Sequence, residues 1–269
     1  FYIYYSMFGF QRIGDLIWAA ADQRPRGFLI GATSGKTTLG GEGLQHQDGS
    51  SHIWSATIPN CKSYDPAFAG ELAIIIEQGT KEMMTEQKDV FYYITVMNEN
   101  YPQPSLKPGV RENILKGAYH FRHYPAQSVS GLQGENSVTL LGSGAIFTEV
   151  LAAAEELSSR GIACDVFSVT SWTELARDGQ RTEHATSPSD PPLPPFIEAQ
   201  LQNSKGPIIA ASDYVRMLPE SIRAYIPAGR KYITLGTDGF GRSDTRAELR
   251  QHFGVNAQAI VQMALKQLA

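Results

Sequence analysis

Strand-like apolar runs alternate with stretches whose apolar residues fall three or four apart, and the alternation persists along the whole chain. It predicts an α/β protein of two domains with mainly parallel sheets. Tyr2 to Tyr5 reads as a strand, and Gln11 to Ala21 as a helix with Ile13, Leu16, Ile17 and Ala20 on one inward face. Phe28 to Gly31 and Ile58 to Ser63 are short strands. Phe68 to Gln78 reads as a helix ended by Gly79, with Leu72, Ile75 and Ile76 inward. Val90 to Val96 is an unbroken β-type run, as a strand buried on both faces requires.

The rhythm breaks between Pro102 and Glu135, where Pro102, Pro104, Pro108 and Pro125, with Gly131 and Gly134, mark an interdomain linker. It restarts with a strand at Val138 to Leu141, a Gly142-Ser143-Gly144 turn and a helix that runs to Arg160 and stops at Gly161. That helix carries the stripe Val150, Leu151, Ala154 and Leu157. Further strands follow at Cys164 to Val169, Pro207 to Ala211 and Tyr232 to Leu235. Thr186 to Pro195, with five prolines, is a surface loop. Asn256 is the N-cap of a last helix bearing Ile260, Val261, Ala264, Leu265 and Leu268. We expect a first domain over residues 1–125, a linker over 126–135 and a second domain over 136–269. The second should fold by itself, with proteases cutting first between Pro102 and Glu135.

The chain opens on Phe1-Tyr2-Ile3-Tyr4-Tyr5, strand-like from its first residue and without an initiator methionine or signal peptide. We therefore expect a piece of a longer protein that begins inside a strand. Among the 269 residues, 42% are hydrophobic and 19% charged, enough for a sizeable core. A net charge of -4 with no basic stripe argues against nucleic acid, and no apolar run has the length of a membrane span. Cys61 and Cys164 stand far apart and read as buried reduced thiols of a cytoplasmic protein.

Between Phe28 to Gly31 and the next strand, Ala32 to Ser51 is too long for an ordinary connection. Its core, from Gly40 to His52, holds two histidines, two carboxylates and four glycines. Glycines let a backbone approach a ligand, and imidazole is suited to proton transfer near neutral pH. A solvated loop with turn-forming glycines is the plainer alternative. Chelation by His46, Asp48 and His52 is a third, at a spacing that fits no common zinc pattern. Gly142-Ser143-Gly144 sits where a phosphate loop would, yet lacks the third glycine and reads as a tight turn. His120, His123, His184 and His252 fall in linker or helix-end contexts and read as surface residues.

Ala32-Thr33-Ser34, Gly41-Glu42-Gly43 and His46-Gln47 together resemble the pyrimidine-side loop of the transketolase family of thiamine enzymes. One branch is much closer, the homodimeric decarboxylating component of the bacterial pyruvate dehydrogenase complex. Ser6 to Asp15, Gly43-Leu44-Gln45-His46, Ile58 to Cys61 and Asn98 to Tyr101 are similar to its blocks. So are Val169-Thr170-Ser171, Glu174 to Gln180 and Gly236 to Asp244. The blocks keep their order from Ser6 almost to Ala269. Of these, Gly239-Phe240-Gly241-Arg242 resembles a segment near the family's dimer contact, and we read it as structural.

The resemblance implies a thiamine pyrimidine-binding domain followed by a transketolase-type C-terminal domain. It implies Phe8 as the ring on which the aminopyrimidine of thiamine diphosphate stacks, and Tyr5 as a second cofactor-side residue beside the reacting carbon. It implies Glu42 and His46 as the acid and imidazole that face pyruvate. The implied partners are a second copy of the chain and the lipoyl acyltransferase that receives the acetyl group. The family holds Mg²⁺ through a Gly-Asp-Gly that does not occur here, so we assign no metal ligand. We expect the isolated chain to bind no thiamine diphosphate and to be inactive. A transketolase-like thiamine transferase and a non-catalytic assembly module are the rival functions.

Overall fold

A computed structural model describes residues 1–128, 136–184 and 193–269. Its first sheet has the order β1 (Tyr2–Tyr4), β2 (Phe28–Ala32), β4 (Phe91–Val96), β3 (Cys61–Tyr64), all parallel. Helices α1 (Phe10–Asp22), α2 (Ser51–Ala56) and α3 (Ala69–Thr80) make the connections, and α3 continues into a π-helical turn over Lys81–Thr85. Helix α4 (Arg111–Lys116) then leads to β5 (Ala118–Tyr124). The second sheet has the order β5, β7 (Ala163–Val169), β6 (Ser137–Gly142), β8 (Ile208–Ala211), β9 (Tyr232–Leu235), and only β5 runs antiparallel. Around it stand α5 (Ile146–Ser159), α6 (Trp172–Glu183), α7 (Phe196–Leu201), α8 (Met217–Glu220), α9 (Arg246–Phe253) and α10 (Ala257–Leu268).

The α/β class, the parallel sheets and most of the expected elements are present. β4 is buried on both faces, with Tyr92, Tyr93 and Ile94 fully inaccessible. The Tyr92 hydroxyl donates to Glu82 at 2.6 Å, as a buried phenol requires. Asn256 caps α10 by accepting the Ala259 N–H. Both cysteines are free and buried.

Several expectations change. In α1 the buried residues are Phe10, Ile17 and Ala21, which pack with Ile58, Cys61, Phe91 and Tyr93. Ile13, Leu16 and Ala20 lie on the exposed side, because the helix bends at Ile13 and two apolar stripes share one short segment. Gly79 does not end α3; it is buried where a Cβ would press at 2.8 Å on the Phe28 ring, so it serves close packing. β3 begins at Cys61, since Thr57 and Ile58 close the turn after α2, a six-residue helix too short to show a periodicity.

The boundary also moves. Residues 118–124, placed above in the first domain, form the edge strand of the second sheet. His120 and His123 therefore stand on a strand, where both ring nitrogens face Asp165 Oδ1 at 3.1 and 3.0 Å. The greater part of the 126–135 linker and of the Thr186 to Pro195 loop falls outside the described residues.

Two buried acids join the sheets. Glu71 reaches back to the Ala67 and Phe68 N–H groups at the start of α3 and also accepts the hydroxyls of Tyr119 on β5 and Ser168 on β7. Asp65 accepts from Thr95 of β4 and from Ser143 of the Gly142-Ser143-Gly144 turn, at 2.7 and 2.8 Å. A Cβ on Gly144 would lie 2.6 Å from the Asp65 carboxylate, so that turn already faces an acid. It has no room for a phosphate. Arg177 of α6 adds donations to the carbonyls of Ala56 and Ile58.

Contacts of this kind join the halves, and we expect the two to unfold together. Glu71→Leu strands two hydroxyls and two backbone N–H groups, each at roughly 1–3 kcal/mol. We expect a loss of about 3 kcal/mol or more in urea unfolding. The Trp172 signal and the far-ultraviolet dichroism should report one shared transition; two separate midpoints in the unsubstituted chain would contradict the coupling.

Candidate active site

Both elements that carry the candidate residues leave the C-terminal edge of the first sheet, where open α/β sheets bind ligands. β1 ends at Tyr4 and turns through a 3-10 segment, Ser6–Phe8, into α1. The turn is tight: a Cβ on Gly9 would collide with the Tyr4 ring at 2.1 Å. It leaves Tyr5 exposed and Phe8 half-buried. The loop after β2 returns to the same place, with a 3-10 turn at Leu44–His46.

Tyr5, Phe8, Glu42 and His46 meet there. The His46 ring lies 5.1 Å from Tyr5 and 5.2 Å from Phe8, and Tyr5 is 5.9 Å from Phe8. Glu42 Oε2 comes within 2.8 Å of His46 Nδ1, a contact whose angle falls short of a hydrogen bond. Arg12, to which the sequence alone gives no role, lies 4.4 Å over the Phe8 ring and donates to the Gln45 carbonyl. The result is a half-exposed aromatic surface with an acid–imidazole pair at its rim. Such a surface can hold a flat heterocycle, and such a pair can move a proton.

His52 and Asp48 stand apart from that pair. Asp48 is fully buried and accepts from the Ser6 and Ser51 hydroxyls, the Gln11 amide and the backbone N–H groups of Ser50 and Ser51. It ties the β1 turn to the start of α2. His52 lies in α2, with Nε2 2.9 Å from the Thr95 hydroxyl and its ring edge-on to Tyr214. Burial pulls its pKa down to about 4, which keeps it neutral. The chelating trio of His46, Asp48 and His52 does not assemble, and no cluster of three metal-ligating side chains forms among the described residues.

The first half of the loop is held by the second domain. Asp213, after β8, accepts the Thr37 N–H on both oxygens at 3.1 Å. Gly35 has φ +82°, and a Cβ there would sit 2.0 Å from the Asp213 carboxylate. Lys36 is buried and donates to the carbonyls of Thr237 and Gly239. Burial lowers its pKa, partly offset by Asp213. Arg246 donates to the Thr38 carbonyl at 2.7 Å, and Arg250 joins Thr37 to Glu99 and Glu149. No periodicity reveals these partners, which stand up to 213 residues away along the chain. The family-like Gly236 to Asp244 block lies against this loop.

With that geometry in view, the chain can be set beside known proteins. Its fold is that of transketolases: the enzyme from Leishmania mexicana aligns over 99% of this chain and 33% of its own, with a TM-score of 0.68 and 17% identity. A split gene transketolase, described as an inactive β4 tetramer, aligns over 99% of this chain and 75% of its own, with a TM-score of 0.66 and 14% identity. The model for the transketolase-like C-terminal domain matches residues 117–256, and that for the pyruvate dehydrogenase E1 component middle domain matches residues 1–104. The chain belongs to this transketolase-like family, in its pyruvate dehydrogenase E1 branch. The pyruvate dehydrogenase E1 component of Escherichia coli (strain K12) is 54% identical over all of this chain, which spans 30% of that relative's length.

Asp213 gives the loop anchor a pH signature. Burial lifts its pKa from the ordinary 3.8 to about 7, against the opposing pull of the Thr37 donors. The folded chain therefore binds this proton more tightly than the unfolded one. Its contribution to stability is complete below the ordinary carboxyl range and is lost as pH rises through about 7. Between those limits the stability of the natural chain should fall relative to Asp213→Asn, by up to ~4 kcal/mol. Urea titrations at stepped pH test this, and parallel curves for the two proteins would refute it.

Proposed function

We propose that this chain supplies the pyrimidine-side and C-terminal parts of a thiamine-diphosphate-dependent pyruvate dehydrogenase (acetyl-transferring). The whole enzyme would decarboxylate pyruvate and pass the acetyl group to the lipoyl group of a partner acyltransferase. It would do so as a homodimer. The observation that carries this is the meeting of Tyr5, Phe8, Glu42 and His46 at one sheet edge, in a chain 54% identical to a pyruvate dehydrogenase E1 component.

The residues fit the aminopyrimidine of the cofactor. Phe8 and Tyr5 offer ring faces for stacking, and the Arg12 guanidinium lies 4.4 Å over the Phe8 ring. When bound, thiamine diphosphate supplies the electron sink that decarboxylation of a 2-oxo acid needs. The chain's own share is positioning and proton movement. His46 donates to the pyruvate carboxylate or to the developing oxyanion, and Glu42 returns the proton to His46. Mg²⁺ receives no ligand among the described residues, so we assign none.

The likeness to transketolases, at 14–18% identity in the solved structures, speaks for the fold alone and does not favour a sugar substrate. The Gly-Asp-Gly through which the family holds Mg²⁺ does not occur in this sequence. In isolation this chain would be an inactive assembly unit.

In the complete enzyme, His46→Ala should lower kcat by roughly ten- to ten-thousand-fold and leave cofactor affinity nearly unchanged. His52→Ala should lower the melting temperature, with far less effect on kcat per folded molecule. Steady-state kinetics with calorimetric cofactor titration distinguishes them. Equal losses of kcat in the two variants would remove His46 from the proposed chemistry.

A further inference from the structure

Glu42 and His46 are borne by a short stretch of the loop, and both of its ends are fixed to one segment of the second domain. At the first end, Gly41 N–H donates to the Asp244 carbonyl at 2.8 Å and the Ser243 hydroxyl donates to the Gly41 carbonyl at 3.1 Å. At the other end stands Gln47, next to His46 and only 2% exposed. Both the oxygen and the nitrogen of its side-chain amide engage the backbone of a single residue. Nε2 donates to the Arg242 carbonyl at 2.6 Å, and Oε1 accepts the Arg242 N–H at 2.7 Å. The neighbouring Gly241 makes the approach possible, since a Cβ there would lie 2.2 Å from Gln47 Oε1.

His46 has little of its own to fix it. Its imidazole touches Tyr5, Phe8 and Glu42, and Tyr5 is exposed while Phe8 and Glu42 are half-exposed. The place of that ring is therefore set mainly by the backbone on either side of it. We propose that Gln47 is a positioning residue for His46, and that the second domain, through the Arg242 peptide, sets where the imidazole stands. This rests on the proton-transfer role proposed for His46. Losing the paired hydrogen bonds frees the loop end, and misplacement by about 1 Å is enough to cost a positioned group on the order of a hundredfold.

A double-mutant cycle in the complete enzyme tests it. Gln47→Leu should lower kcat for pyruvate by about 10- to 100-fold, with KM and cofactor affinity held within about twofold. In a His46→Ala background the same substitution should change kcat by less than about twofold, because nothing is left to position. Gly241→Ala, which pushes Gln47 away from the second-domain side, should reproduce both results. Should Gln47→Leu fail to fold, Gln47→Glu keeps the acceptor for the Arg242 N–H and takes its place in the cycle. Equal losses in both backgrounds, or an unchanged kcat in the first, would overturn the proposal while leaving the role of His46 intact. A neutral His46→Ala would instead overturn that role, and this inference with it.

Discussion

Backbone groups that leave water must find partners, and the loop that follows β2 leaves water without forming helix or strand. Thr33 to Leu39 are all buried, and five of them are polar: Thr33, Ser34, Lys36, Thr37 and Thr38. A lone domain cannot bury such a stretch cheaply. Here the partners come from the second domain, through Asp213, the carbonyls of Thr237 and Gly239, Arg246 and Arg250. The candidate site is then a property of the two-domain unit. Glu42 and His46 belong to the first domain by sequence, yet the segments on either side of them are anchored in the second.

Three buried carboxylates serve this joint, and a fourth, Asp48, holds the loop within the first domain. Asp48 gathers hydroxyls and N–H groups within its own domain. Asp65, Glu71 and Asp213 accept from across the boundary. Burial raises the pKa of all three, to about 6 for Asp65 and about 7 for Asp213. Buried acids with several directed donors add less stability than an apolar contact of the same size would. They do impose one geometry, because any other leaves a desolvated oxygen unpartnered. At a joint that holds the loop proposed to transfer protons, uniqueness is worth more than tightness.

Much of this was legible in the sequence, for physical reasons that also mark its limits. Local periodicity and caps reveal strands such as Phe91–Val96 and helices such as Ile146–Ser159 and Ala257–Leu268, whose signals lie within a dozen or so residues. Tyr5, Phe8, Glu42 and His46 came from similarity to a family, and the structure brings all four together; their spacing alone left a solvated loop open. Residues 118–124 were hidden in a proline-rich region because a strand's sheet is chosen by distant partners. Asp213 and Glu71 gave no signal, since an acid in a sequence reads as surface until its donors are known; Gln47 stood in a family-like motif, but its partner Arg242 did not show. In α1, the second apolar stripe misled: a segment with two apolar sides does not say which one faces the core.

The division of the loop follows from competing demands on one stretch of chain. A group that is to transfer protons, the role proposed here for Glu42 and His46, must reach a substrate, and both residues keep part of their surface in solvent. It must also stand still, because the rate depends on orientation. Rigid packing of the same residues would meet the second demand by defeating the first. Burying Thr33 to Leu39 on one side and Gln47 to Gly49 on the other meets both, since the two ends are fixed and only the segment between them is open. The aromatic shelf of Tyr5 and Phe8 lies beneath that segment, tied to it through Asp48 and Ser6. Movement of either domain would displace the imidazole relative to the shelf, so under the proposed role of His46 the second domain would take part in the chemistry without touching the reacting atoms.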